Sequence, residues 1–189
     1  VTRTIAMVGG FSEGVSLFGS FAMLLNFPRH GKMKNMGQII AFSVKDETLH
    51  TESIIKLFHE WTQETGTLTK GVESDIYDIA QQVVALEEKF IDLAFELGEV
   101  KGMTPQDIKN YINYLAEFRI TQLGLRAWGK YFEGTKRNYK QIQPHPLPWL
   151  LEILNGQAYE NFFEVKSTGY SKSSTQGEWR DVWECFNNK

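Results

Sequence analysis

Apolar residues fill the first 27 positions almost without interruption, and only Arg3 and Glu13 carry charge there. The run ends at Phe27-Pro28-Arg29-His30-Gly31, a turn by composition. Between 33 and 65, Ile39, Ile40, Phe42, Val44, Leu49, Ile54, Leu57, Phe58 and Trp61 recur at spacings of three and four. That period predicts a second helix, closed by Gly66-Thr67. A third run, Val72 to Leu97, keeps the period through Ile76, Ile79, Ala80, Val83, Val84, Leu86, Phe90, Leu93 and Ala94, and stops at Gly98. Thr104-Pro105 reads as an N-cap followed by proline at the first helical position, with Asp107 in the first turn. This fourth helix is expected to run to about Trp128. Residues 129–148 read as loop, and Trp149 to Leu154 as one short apolar turn. From Gly156 on, Ser, Thr, Lys and Gly dominate and core periodicity fades. The pattern therefore predicts a helical-bundle portion over 1–156 and a flexible tail over 157–189 that carries isolated aromatics. Strand signals are weak throughout, so the expected class is all-α, with long antiparallel helices.

The first segment is apolar nearly all round and holds Gly9, Gly10, Gly14 and Gly19. Such a helix is buried on every side or lies in a membrane. Arg3 and Glu13 favour burial in a bundle. Each interior glycine costs about 1 kcal/mol against alanine, which points to close helix packing or a local distortion near Glu13. The chain has 189 residues, 42% of them hydrophobic, enough for one domain with a real core. A formal net charge of −3 argues against a basic nucleic-acid-binding surface. The single cysteine, Cys185, excludes an intramolecular disulfide framework and fits a reducing, cytoplasmic setting. No uncharged apolar run reaches about 18 residues, so no membrane span is expected. The chain begins at Val1 without a signal-peptide pattern, and reads as a piece of something longer.

Glu13 is a lone carboxylate on the most hydrophobic segment, and burial would require it to be protonated, paired or metal-bound. It precedes His30, at the centre of the turn, by as many residues as Glu47 follows it. A hairpin of the first two helices would therefore set Glu13 and Glu47 at one height. Glu47-Thr48-Leu49-His50 is a Glu-x-x-His, whose spacing puts both side chains on one helix face. A Glu facing a Glu-x-x-His on an antiparallel neighbour is half of the dinuclear carboxylate site of ferritin-like bundles. Such donors suit iron or manganese. With 4 histidines in 189 residues, one Glu-x-x-His is close to what chance supplies, so the weight falls on the mirrored Glu13. His30, His59, His145 and Cys185 read as structural or surface residues.

The stretch from Glu13-Gly-Val-Ser-Leu-Phe-Gly-Ser-Phe-Ala-Met-Leu through Val44-Lys-Asp-Glu-Thr-Leu-His50 resembles the radical-generating small (beta) subunit of class I ribonucleotide reductase. Asn161-Phe-Phe-Glu-Val-Lys-Ser-Thr-Gly-Tyr-Ser-Lys172 is similar to that family's C-terminal linker. The resemblance implies that Glu13, Glu47 and His50 are ligands in one half of a dinuclear iron, manganese or mixed manganese/iron centre. It places Asp46 as the carboxylate that orients a ligating histidine and takes part in radical transfer, and Leu17 and Phe21 beside an oxygen-access pocket. Glu164 and Tyr170 fall on the linker carboxylate and the tyrosine that passes the radical to the large (alpha) subunit. Trp179, Trp183 and Phe186 match a peptide that docks on that subunit, where the family makes deoxyribonucleotides.

The sequence departs from the family in lacking a second Glu-x-x-His, so half of the ligand set is missing. Either an N-terminal half completes the site in trans, or two copies pair as a homodimer, each giving Glu13, Glu47 and His50. An apolar first helix left exposed would favour the pairing. Alone, the chain is expected to be inactive. Two rivals are a ferritin-like di-metal oxidase or oxygenase, and a non-catalytic helical fragment that binds no metal.

Overall fold

A glycine-rich rod runs through the described bundle, and three further helices pack around it. In the computed structural model, residues 1–127 and 145–157 are described, and they fall in one compact unit, Val1–Gln157. The rod begins as helix α1 (Thr2–Ile5), continues as a π-helical segment (Ala6–Ser16) and ends as α2 (Phe18–Arg29). It is followed by α3 (Lys34–Thr65), α4 (Lys70–Phe95), α5 (Pro105–Gln122) and α6 (Pro148–Gln157). Among the described residues there is no strand, only an isolated bridge between Val100 and Met103. The expected all-α class holds.

The π segment packs against α3, α4 and α5, and Ala6, Phe11 and Val15 are fully buried. Its central place agrees with the burial expected from the sequence, rather than with a first helix left exposed for a second copy to cover. By length and composition Thr2–Arg29 is apolar enough to cross a membrane, but half of its most apolar stretch is buried within the bundle. Packing against three helices is what a buried core rod requires.

Glycine makes that packing close. A Cβ on Gly9 would stand 2.5 Å from Ile54 Cγ2 of α3, and one on Gly37 of α3 would stand 2.5 Å from Pro28 Cγ of α2. The rod and α3 are thus drawn together near both ends of their hairpin. The reversal between them uses two left-handed residues, Gly31 at φ 76° and Met33 at φ 50°.

The N-terminus of α5 bears the expected Thr104 N-cap, closed as a capping box: the Thr104 hydroxyl accepts from Asp107 N at 3.2 Å, and Thr104 N donates to Asp107 Oδ2 at 2.8 Å. The helix stops at Gln122, six residues before the expected end. Gly124 adopts φ 75°, its N–H bonds Thr121 O, and Leu125 N–H reaches back to Ile120 O. This is a Schellman closure, with Leu125 buried as its apolar contact. The stretch expected as one apolar turn at 149–154 is instead a ten-residue helix, α6. Several periodic apolar residues face solvent rather than the core, among them Ile39, Leu49 and Leu57 on α3 and Leu86, Phe90 and Leu93 on α4.

Candidate metal centre

Glu13 lies in the π segment, between Phe11 and Gly14, which are both buried. A π-helix is wider than an α-helix and rarely persists beyond one turn, so an eleven-residue stretch is unusual. The glycines at 9, 10 and 14 weaken the α-helical preference there. Ser16 Oγ donates to the Phe11 carbonyl at 3.3 Å, and Arg119 Nε donates to the Gly14 carbonyl at 3.1 Å. Side chains thus hold two carbonyls of this segment, one on each side of Glu13.

Across the hairpin, Glu47 and His50 stand on one face of α3. His50 Nδ1 is 3.5 Å from Glu13 Oε2 and 3.5 Å from Glu47 Oε2. One donor atom from each of the three residues lies within 4.8 Å of the others. At 3.5 Å the imidazole contacts are too long for good hydrogen bonds. Glu13 Oε2 is buried and has no hydrogen-bond partner. A buried carboxylate oxygen left unbonded is costly, and a cation shared by two carboxylates and an imidazole would satisfy it. The donor set of two oxygens and one nitrogen suits iron or manganese. On both counts the residues fit a metal. The His50 side chain is 56% exposed, so the cluster is open on that side.

The other expected site residues are placed differently. Asp46 is exposed on α3 and is not among the three clustered groups. Leu17, at the junction of the π segment and α2, is 46% exposed and so is not a core residue. Phe21 packs on the core, its ring 5.8 Å from Phe18 in an edge-on contact. Glu164, Tyr170, Trp179, Trp183, Cys185 and Phe186 lie outside the described residues. The remaining histidines are structural. His30 Nε2 is 3.0 Å from Lys101 O and His59 Nε2 is 2.8 Å from Gln122 O, while His145 packs against Tyr111 and Tyr114.

Two ionisable groups, one buried and one half-buried, were not singled out from the sequence. Arg119 is 4% exposed on α5, and its Nη1 donates to Gln122 Oε1 at 2.7 Å. Burial lowers its pKa, and Tyr111 and Glu52 oppose that shift. Glu87 of α4 places Oε2 where a Cβ on Gly19 would be 3.4 Å away, beside Ile108 and Ile112. Burial pushes its carboxyl up to about 7. Both occupy core-facing positions of their helices, in register with Ile112 and Leu115 on α5 and with Ala80 and Ile91 on α4. A charged residue on an apolar stripe was the signal available.

Comparison with known proteins gives the family and the fold. Residues 1–138 match the family model for the ribonucleotide reductase small chain, and the chain belongs to that family. It is 44% identical over 177 residues to a "probable ribonucleoside-diphosphate reductase small subunit" of Invertebrate iridescent virus 3, covering 93% of this chain and 44% of that relative. A similarly named protein of Invertebrate iridescent virus 6 is 39% identical over 205 residues, covering 97% of this chain and 55% of the relative. The chain thus spans about half the length of these relatives. Among solved structures, the ribonucleotide reductase R2 subunit from Clostridium botulinum superposes with a TM-score of 0.65 at 21% identity, over 79% of this chain and 44% of that one. That likeness shows the fold.

Proposed function

We propose that this chain contributes to the small subunit of a ribonucleoside-diphosphate reductase, an oxidoreductase, and that Glu13, Glu47 and His50 hold metal in its radical-generating centre. One observation carries the reading: a buried, unbonded carboxylate oxygen of Glu13 faces Glu47 and His50 across an antiparallel hairpin. A dinuclear iron or manganese centre would supply one-electron oxidation with dioxygen. The chain's own residues do the holding. Glu13 and Glu47 provide negative charge from two different helices, and His50 presents Nδ1 between them. The open side at His50 is where further ligands would enter, from an N-terminal half in trans or from a second copy. A homodimer is one form of that completion.

The remaining roles follow the family pattern. Asp46 would orient a ligating imidazole supplied from the open side and accept a proton as an electron moves. Glu164 and Tyr170 would pass the radical toward a large subunit, on which the aromatic tail residues Trp179, Trp183 and Phe186 would anchor. The setting proposed is cytoplasmic.

Titrating the full chain with Mn(II) while following loss of the free-ion magnetic resonance signal tests the centre. Uptake is expected in the native protein, weakened about 10- to 100-fold in Glu13→Gln or His50→Ala, on the scale of losing one ligand or its support. Equal uptake by native and variant proteins would refute the assignment. A chain shortened by residues 157–189 is expected to keep its helical circular dichroism and lose affinity for the large subunit. Unchanged affinity would remove the docking role.

A further inference from the structure

Burying a guanidinium is expensive unless its donors are used. Arg119 spends its described hydrogen bonds on neutral oxygens, the Gly14 carbonyl and the Gln122 amide, and its Cζ lies over the rings of Phe18 and Phe118 at 5.7 and 5.4 Å from their centres. The partner that matters is Gly14. It is the residue after Glu13, it sits in the π segment, and it lies 105 positions from Arg119 in sequence. The close approach needs glycine: a Cβ at position 14 would stand 2.8 Å from Arg119 Nε and 3.2 Å from its Cδ. A charged donor bonds a carbonyl about twice as strongly as a neutral one. The bond therefore fixes one peptide unit of a segment whose wide helical geometry is otherwise weakly preferred.

We propose that Arg119 is a positioning residue: by holding the Gly14 carbonyl from α5, it fixes the π-helical register that keeps the Glu13 carboxylate level with Glu47 and His50. The role rests on the metal-centre reading for its consequence but not for its mechanism, because every atom of the clamp belongs to this chain. It also assigns a use to a buried charge that packing alone would replace with an apolar side chain. Such replacements are commonly neutral or stabilising. A purely structural arginine and a positioning one therefore give different variants.

The test compares the full chain with Arg119→Met and Arg119→Lys, metal-free and with Mn(II). Arg119→Met replaces the stem as far as the Nε position and removes every donor, whereas Arg119→Lys keeps one donating nitrogen. Three quantities are read: the thermal midpoint, peptide-level hydrogen exchange, and Mn(II) affinity. The expected result for Arg119→Met is a near-native midpoint and exchange over residues 6–16 faster by about tenfold relative to α4. Its Mn(II) affinity is expected to be weaker by about tenfold, with Arg119→Lys intermediate. If exchange rises uniformly in all helices, or stays native in the π segment, the clamp is refuted. If exchange rises locally but Mn(II) affinity is unchanged, Arg119 does not position Glu13 and the proposal falls. If the native chain takes up no Mn(II), the metal-centre reading fails separately, and exchange alone decides the clamp. Should Arg119→Met not fold, the lysine variant decides on the same readings.

Discussion

A carboxyl group set against Gly19, Ile108 and Ile112 loses hydration that its charged form needs, and Glu87 is held neutral up to about pH 7 against an ordinary 4.5. A folded-state pKa above the unfolded value means that Glu87 adds stability below about 4.5, and that this is lost as pH rises through 7. Denaturant titrations between pH 4.5 and 8 should therefore show the native chain losing stability relative to Glu87→Gln as pH rises. A constant difference between the two would contradict the assignment. Thr104 is simpler: Thr104→Ala removes a cap that accepts from Asp107 N, and is expected to cost about 1 kcal/mol in the same assay. The cap could be read from Thr104-Pro105 because cap chemistry is local. The burial of Arg119 and the half-burial of Glu87 were equally local in pattern, one charge on each apolar stripe, yet only tertiary packing decides how far such a residue is enclosed.

At the scale of elements, the hairpin of the rod and α3 decides whether the three donors meet. Its height was legible because two long helices joined by a short turn fix which residues face each other, so Glu13 opposes Glu47 and His50. Its closeness was not, because that depends on which neighbour each glycine admits. At Gly9 the neighbour is Ile54, whose Cβ and Cγ2 stand 2.6 and 2.5 Å from where a Cβ would be. Neither atom is the far end of a flexible chain. Gly9→Ala is therefore expected to destabilise by about 1–3 kcal/mol, in spite of alanine's better helix preference, and to weaken Mn(II) uptake by spreading the hairpin. A stabilised variant with native uptake would show that the contact does not set the spacing. The end of α5 was misplaced for a related reason. Apolar residues continue past Gln122, and it is the left-handed Gly124, with backward hydrogen bonds from its own N–H and from that of Leu125, that halts the helix.

For the molecule as a whole, the all-α architecture followed from hydrophobic period alone, and the family follows from the match over residues 1–138. What periodicity could not convey was which apolar positions face solvent. Leu86, Phe90 and Leu93 fit the helical period of α4 as well as Ile91 does, yet only Ile91 is buried. Likewise the first segment, apolar on all sides, gave no hint of which three helices would surround it. The account's central claim is that Glu13, Glu47 and His50 share an ion, and crystals of the full chain grown with Mn(II) or Fe(II) test it most directly. An anomalous difference map collected at the metal's absorption edge should show a peak between the Glu13 and Glu47 carboxylates and His50 Nδ1. A map with full metal in the crystal and its peaks elsewhere would contradict the account.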